Sequence, residues 1–194
     1  MARSKEFEES AVLDKAMRLF WEQGYEKTSM NDLVEHMGIH RRSLYDTFGD
    51  KHTLFLKALD RYGDKNSAPL VRGMKSSKTA AEALQFLFGL TIRGEEDLPS
   101  GCLMVNSAVE LAARDADVDT KSTEAFTTAE QLLKEIILWG QRDGEFTSEY
   151  DAGELAEYLH NVWVGLRVMA RTSIAKDKEK LNRITDISMK LLEK

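Results

Sequence analysis

The sequence predicts an all-α protein of about nine helices, with an N-terminal three-helix head and a larger C-terminal helical body. Three observations carry that prediction. Apolar residues recur at spacings of three and four along most of the chain. Only two prolines, Pro69 and Pro99, interrupt 194 residues. Gly-rich turns and clusters of β-branched residues, the marks of sheet, are scarce. With 42% hydrophobic residues the chain can bury a sizeable core.

Each element then has its own justification. The first helix spans about residues 7–23, with Ala11, Ala16, Leu19 and Phe20 inward. Ser29 and Asp32 form a capping-box pair that opens a short second helix. Leu33, Val34 and Met37 give it one buried stripe, and Gly38 permits the positive φ of a sharp ending turn. Ile39 anchors that turn. Leu44 and Phe48 form the inner side of a third helix, which Gly49 ends. Arg41, Arg42, Ser43, Tyr45 and Thr47 are left outward. Asp50 is the N-cap of a fourth helix over about 51–65, carrying Leu54, Phe55, Ala58, Leu59 and Tyr62. Pro69 predicts a break within 63–78. Thr79 and Glu82 open a helix over about 80–92, and an acidic loop over 94–101 follows. A sixth helix starts near Gly101, and a long one runs over about 119–143. Asp151 and Glu154 cap the next, about 152–174, and the last covers about 178–192. The predicted division is a head over 1–50, a linking helix over 51–65 and a body over 66–194. No internal repeat or low-complexity tract is visible.

Residues 28–51 have the layout of a helix-turn-helix whose second helix enters a DNA major groove. Ala16, Phe20, Gly24 and Tyr25 precede Thr28, and Gly38, Leu44-Tyr45, Phe48 and Lys51 precede Leu54-Phe55. This pattern resembles the TetR family of one-component bacterial transcription regulators, over about residues 7–62. The resemblance implies a homodimer that binds a pseudo-palindromic double-stranded DNA operator, acts as a repressor, and is released by a small hydrophobic or electrophilic inducer. It implies DNA contacts from Ser29, Asn31, His40, Arg41, Arg42, Ser43, Tyr45, Thr47 and Lys51. Arginine pairs bidentately with guanine O6 and N7, so Arg41 and Arg42 are candidates for base reading. The resemblance assigns Tyr45 and Lys51 to phosphate, which positions without reading sequence. His40 departs from the family pattern, because histidine caps a helix poorly.

The net charge of −6 is unlike that of a nucleic-acid binder. Residues 1–65 hold eleven Lys/Arg against twelve Asp/Glu, a balance of −1 that leaves −5 for the rest. The DNA face is therefore local: Arg41, Arg42 and Lys51, joined by Lys5 and Lys27 and opposed by Asp46 and Asp50. Counterion release depends on phosphates neutralised at the contact, not on whole-chain charge.

In the body, Phe86, Met104, Phe126, Trp139 and Trp163 are the candidate lining of an effector pocket, since apolar aromatic walls suit small organic ligands. Glu110 and Arg167 stand among apolar residues without an assignable role. The run Ser100-Gly101-Cys102-Leu103 resembles a GCL-type motif of one branch of the family, which makes Cys102 a candidate redox sensor. Glu95, Glu96 and Asp97 disfavour its thiolate, while a helix start favours it. Leu155, Leu159, Val162, Gly165, Leu166 and Met169, with Ile184 and Ile187, predict the dimer interface as a four-helix arrangement.

Other classes are weakly supported. There is no Gly-rich phosphate loop, nucleophile elbow or catalytic His–Cys pair, so no enzyme and no cofactor is expected. His36 and His40 have an i, i+4 spacing, but Gly38 between them ends the helix, so no metal site is expected. The single cysteine rules out an intramolecular disulfide. The charged N-terminus lacks a signal-peptide core and no apolar run is long enough for a bilayer, so a cytoplasmic location without membrane association is expected. The rival reading is an all-helical adaptor without DNA binding, which the acidic charge favours.

Overall fold

The computed structural model describes residues 7–94 and 97–194; Lys5, Glu95 and Glu96 lie outside them. The described residues form nine α-helices: α1 (Glu9–Gln23), α2 (Met30–Met37), α3 (Arg41–Phe48), α4 (Lys51–Ser76), α5 (Ala80–Arg93), α6 (Leu103–Leu111), α7 (Ala116–Asp143), α8 (Ala152–Met169) and α9 (Lys178–Lys190). A 3₁₀ turn, Ser173–Lys176, joins the last two. No strand occurs among these residues, and no helix is long and apolar enough to cross a membrane.

The local rules place the head well. Ser29 Oγ accepts from Asp32 N and Asp32 returns a carboxylate to Ser29 N, a complete capping box. Gly38 sits at φ 71°, ψ 34°, the left-handed region that only glycine adopts cheaply. Its N–H and that of Ile39 close the end of α2 onto Val34. Lys15 Nζ donates to Met37 O at 3.2 Å, placing a cation at that helix's negative end. Asp50 accepts from Thr53 N at 2.7 Å and starts α4.

Four expectations need correction. Ala11 is exposed, and its neighbour Val12 turns inward instead. Helix α4 does not break at Pro69 but runs 26 residues to Ser76. The body supplies the reason: Leu70 and Met74 pack on the second core, and Gly73 lets α5 approach so closely that an added Cβ would lie 1.8 Å from the Phe86 ring. Tertiary packing along this stretch outweighs the cost of one proline. Helix α7 starts three residues sooner than expected because Asp115 caps it through Asp117 N and Val118 N. Helix α8 ends at Met169, after which Thr172 caps the 3₁₀ turn.

Two buried clusters make the core. One joins α1 to α4 with Cys102, Leu103, Met104, Val105 and Leu111 of the α6 region, and Val118 of α7. The other joins α5, the C-terminal half of α7, α8 and α9. Helix α6 therefore shares its packing with the head. Leu155, Leu159 and Leu166, expected at a dimer interface, are buried in the second cluster. One helical stripe serves the protomer's own core, with Val162 half-buried at its margin, while Tyr158 and Val168 are exposed.

Candidate nucleic-acid interface and effector cavity

Helix α3 is held from below by Leu44 and Phe48, 0% and 1% exposed. Its outer side carries Arg41, Arg42 and Tyr45 exposed, with Ser43 and Thr47 half-buried beside them. His40 is the N-cap residue and makes no capping hydrogen bond, so the first N–H groups of α3 remain available. Arg41 Nη1 donates to Asn31 Oδ1 at 3.2 Å, which joins the two base-facing candidates across the turn. Arg42 lies 3.6 Å from Asp46, and both side chains are largely exposed, 92% and 69%. Such a pair contributes about 0–1 kcal/mol and yields readily to a phosphate. Lys51 Nζ sits 4.2 Å above the Tyr25 ring, at the edge of this face. Ser29 lies at the start of α2 with its hydroxyl committed to the cap. Lys27 is exposed. The nine expected contact residues thus belong to the N-cap and first turn of α2, the N-cap and helix of α3, and the first residue of α4.

Several side-chain contacts tie the α1–α4 segment to the body, among them Arg18 to the Asp97 carbonyl, Arg114 to Glu26 and Lys121 to Asp60; three more lie close to the candidate site. The Glu110 carboxylate of α6 accepts from Tyr25 N at 3.0 Å and Glu26 N at 2.8 Å. Arg171, just past α8, donates to Trp21 O at 2.8 Å and Glu22 O at 3.0 Å, the open carbonyls at the end of α1. His52 Nε2 meets Asp115 Oδ2 at 2.9 Å. His52, Asp115 and Asp117 bring ligand atoms within 4.8 Å of one another. Asp115, however, spends one oxygen on the N-cap of α7 and the other on His52, so the group is a cap rather than a metal cradle.

Between α1 and α4, Asp14 accepts from Arg61 at 2.8 Å and Lys65 at 2.6 Å. Burial pushes its carboxyl up, but these two cations outweigh that and hold it below the usual range.

A cavity of about 260 Å³ opens between head and body. Trp21 of α1, Tyr62 and Asn66 of α4, Thr91 of α5, Leu98 to Gly101, Trp163 and Arg167 of α8, and Lys178 of α9 lie on its wall. Of the five expected lining residues only Trp163 is there; its indole donates to Thr91 Oγ1 at 2.7 Å. Phe86 fills the space over Gly73. Met104 is buried in the first core and accepts from Ser122 at 3.8 Å. Phe126 packs on that same core, with its ring 5.6 Å from His160. Trp139 bonds Asp143 at 2.7 Å, away from the cavity. Trp21, Tyr62, Arg93 and Lys178 were not foreseen, and Arg167 had no assigned role. They come together from positions 21 to 178, a convergence that leaves no local pattern in the sequence.

Cys102 is the N-cap residue of α6 and 2% exposed. Arg167 Nη1, from the distant helix α8, lies 3.6 Å from its sulfur. Burial pushes the adjoining Tyr62 phenol well up, with Cys102 adding to the rise, so it stays protonated.

Residues 12–58 match the family model described as bacterial regulatory proteins, tetR family, and residues 81–187 match the tetracyclin repressor-like C-terminal domain. The chain belongs to the TetR family. It is 35% identical to the HTH-type transcriptional repressor ComR of Escherichia coli, over 97% of this chain and 90% of that one. It is 31% identical to the uncharacterized HTH-type transcriptional regulator YezE of Bacillus subtilis, over the full length of both. Among solved structures it is similar to a cysteine-substituted form of the TetR family regulator CifR complexed with 26-bp operator DNA. That likeness has a TM-score of 0.84 and 28% identity, and covers 98% of this chain and all of CifR. This TetR-family chain is thus a helix-turn-helix transcriptional regulator, and its relatives are named as regulators rather than enzymes.

Proposed function

We propose that this regulator is a repressor that binds a pseudo-palindromic operator as a homodimer and leaves it when a small molecule fills the head–body cavity. The observation that carries the reading is the α3 face: Arg41 and Arg42 exposed, Asn31 bonded to Arg41, and an uncapped helix start, all on a rigidly packed base. Operator-bound CifR, similar over the whole chain, supports DNA as the partner. The functional division is a head over 1–50, a linking helix over 51–65 and a body over 66–194, with α4 in both.

Dimerisation falls to the outward stripe of α8 and α9. Tyr158, Val168, Ile187 and Leu191 are exposed apolar residues, and nothing lies within 4 Å of a Cβ built at Gly165. Val162, Met169 and Ile184 flank them half-buried. A two-fold dimer sets two α3 helices one duplex turn apart or a multiple, about 34–36 Å per turn. A ligand can release DNA only by binding the two states unequally. Helix α4 and the Glu110 and Arg171 ties carry the difference to the head. Of the two release routes, ligand occupancy is better supported than modification of Cys102, whose sulfur is buried.

The test is fluorescence anisotropy of the full chain on DNA flanking its own gene and on random DNA, at two salt concentrations. Tight, salt-sensitive preference for the flanking DNA is the expected result. Indifference to all DNA at both salt levels would overturn the reading in favour of an adaptor.

A further inference from the structure

We infer that the cavity between head and body is built for a small organic anion with a flat apolar frame, held by Arg167 with Arg93 and Lys178 at its mouth. This rests on the reading of the cavity as the effector site and gives that site a ligand chemistry.

The charge of the wall is the first argument. The chain carries 33 Asp/Glu against 27 Lys/Arg, yet the described lining holds three cations and no acid. Among the described residues none of the three cations has a carboxylate within 4.0 Å. Lys178 reaches the Ile92 carbonyl, and Arg167 has the Cys102 sulfur and the face of Trp163, 3.9 Å from its guanidinium. A half-buried guanidinium partnered only by a sulfur and a ring is electrostatically incomplete, and an anion completes it. The Trp163 ring and the Cys102 sulfur hold the guanidinium at the wall, and its remaining N–H groups can capture a carboxylate.

The rest of the wall defines the frame. Trp21, Trp163, Leu70, Leu90, Ile92 and Leu98 are flat or branched apolar surfaces. The volume of about 260 Å³ lies just under the range of about 300–1,000 Å³ typical of drug-sized sites, so one or two fused rings fit. Trp21 contributes a further point. It is 5% exposed and, among the described residues, its indole N–H has no hydrogen-bond partner, an unmet donor in the wall residue that belongs to the head. Arg171, one turn beyond Arg167, holds the carbonyl of that same Trp21. A ligand that displaces Arg167 or Trp21 therefore acts on α1 directly, as well as on α4.

Titration calorimetry of the full chain with naphthoate and with the neutral, near-isosteric naphthamide tests the inference. Saturable naphthoate binding, at least about tenfold tighter than naphthamide, is expected. Arg167→Met should erase most of that preference. Arg93→Gln, an exposed position where folding is not at stake, should reduce it. Equal affinity for the two compounds, no saturable naphthoate binding, or a preference untouched by both substitutions would each overturn the inference. Operator anisotropy on the same samples separates the two readings. Naphthoate binding that leaves operator affinity unchanged upholds the anion site and removes its regulatory role. A ligand-free protein that ignores all DNA defeats the DNA reading while the calorimetry still stands.

Discussion

The recognition face and the cavity are built by opposite strategies. The face comes from 24 consecutive residues, 28–51; Arg41 and Arg42 are exposed and bonded to their neighbours Asn31 and Asp46. The cavity comes from α1, α4, α5, α8, α9 and the loop before α6, and its charged groups have no acidic partner among the described residues. A surface that must fit a regular duplex can be carried by a local, rigid motif. A cavity that, as proposed, holds an effector and reports to the head has to touch many elements at once.

That contrast can be stressed at graded cost. The largest effect is expected at the base of the face. Leu44→Ala empties a site that is 0% exposed and should cost about 2–5 kcal/mol in urea unfolding, with operator binding falling in step. A loss below about 1 kcal/mol would show that α3 is not anchored by its own core.

Next comes the face itself. Arg41→Ala should weaken operator binding by about 1–3 kcal/mol and relax specificity at one base pair, with little change on random DNA. Equal weakening on both would reassign Arg41 from base to phosphate.

The ties between the regions come third. Glu110→Gln replaces a carboxylate that accepts two backbone N–H groups of the head, and should cost about 1–3 kcal/mol of stability. Hydrogen exchange at Tyr25 and Glu26 should accelerate selectively; uniform acceleration over the chain would mean the tie is structural only.

The smallest effect is a pH effect in the body. Burial depresses the His160 pKa, with Arg167 also lowering it and Glu130 opposing. Its folded value lies below the ordinary 6.5, so its contribution is whole above about 6.5 and is lost as pH falls through the depressed folded value. His160→Asn should flatten the acid side of a stability profile measured by urea unfolding at stepped pH. An unchanged profile would point to Asp14, whose paired carboxylate also loses its contribution in acid.

The same contrast governs what the sequence can reveal. Caps and turns are local, so Ser29, Gly38, Gly49 and Asp50 mark the head correctly. The first helix starts two residues later than expected, and its inner side is legible except at one place: Ala11 and Val12 are adjacent small apolar residues, and only packing decides which turns in. Pro69 misleads because its local cost is real while Gly73 and Phe86, which pack α4 against α5, pair only in three dimensions. Leu155, Leu159 and Leu166 are legible as an apolar stripe, but periodicity cannot say whether a stripe meets its own chain or a second one. Trp21 and Arg167 lie 146 residues apart, and nothing near either announces a shared wall.

Helix α6 illustrates a practical consequence. Leu103, Val105 and Leu111 are buried with α1 and α4, so the head does not end where its motif ends. Residues 1–65 grafted onto a foreign body would leave the apolar undersides of Phe20, Phe55 and Leu59 uncovered. A transplantable DNA-reading cassette from this chain has to carry 102–118 with it, in effect a two-piece module held in register by Glu110.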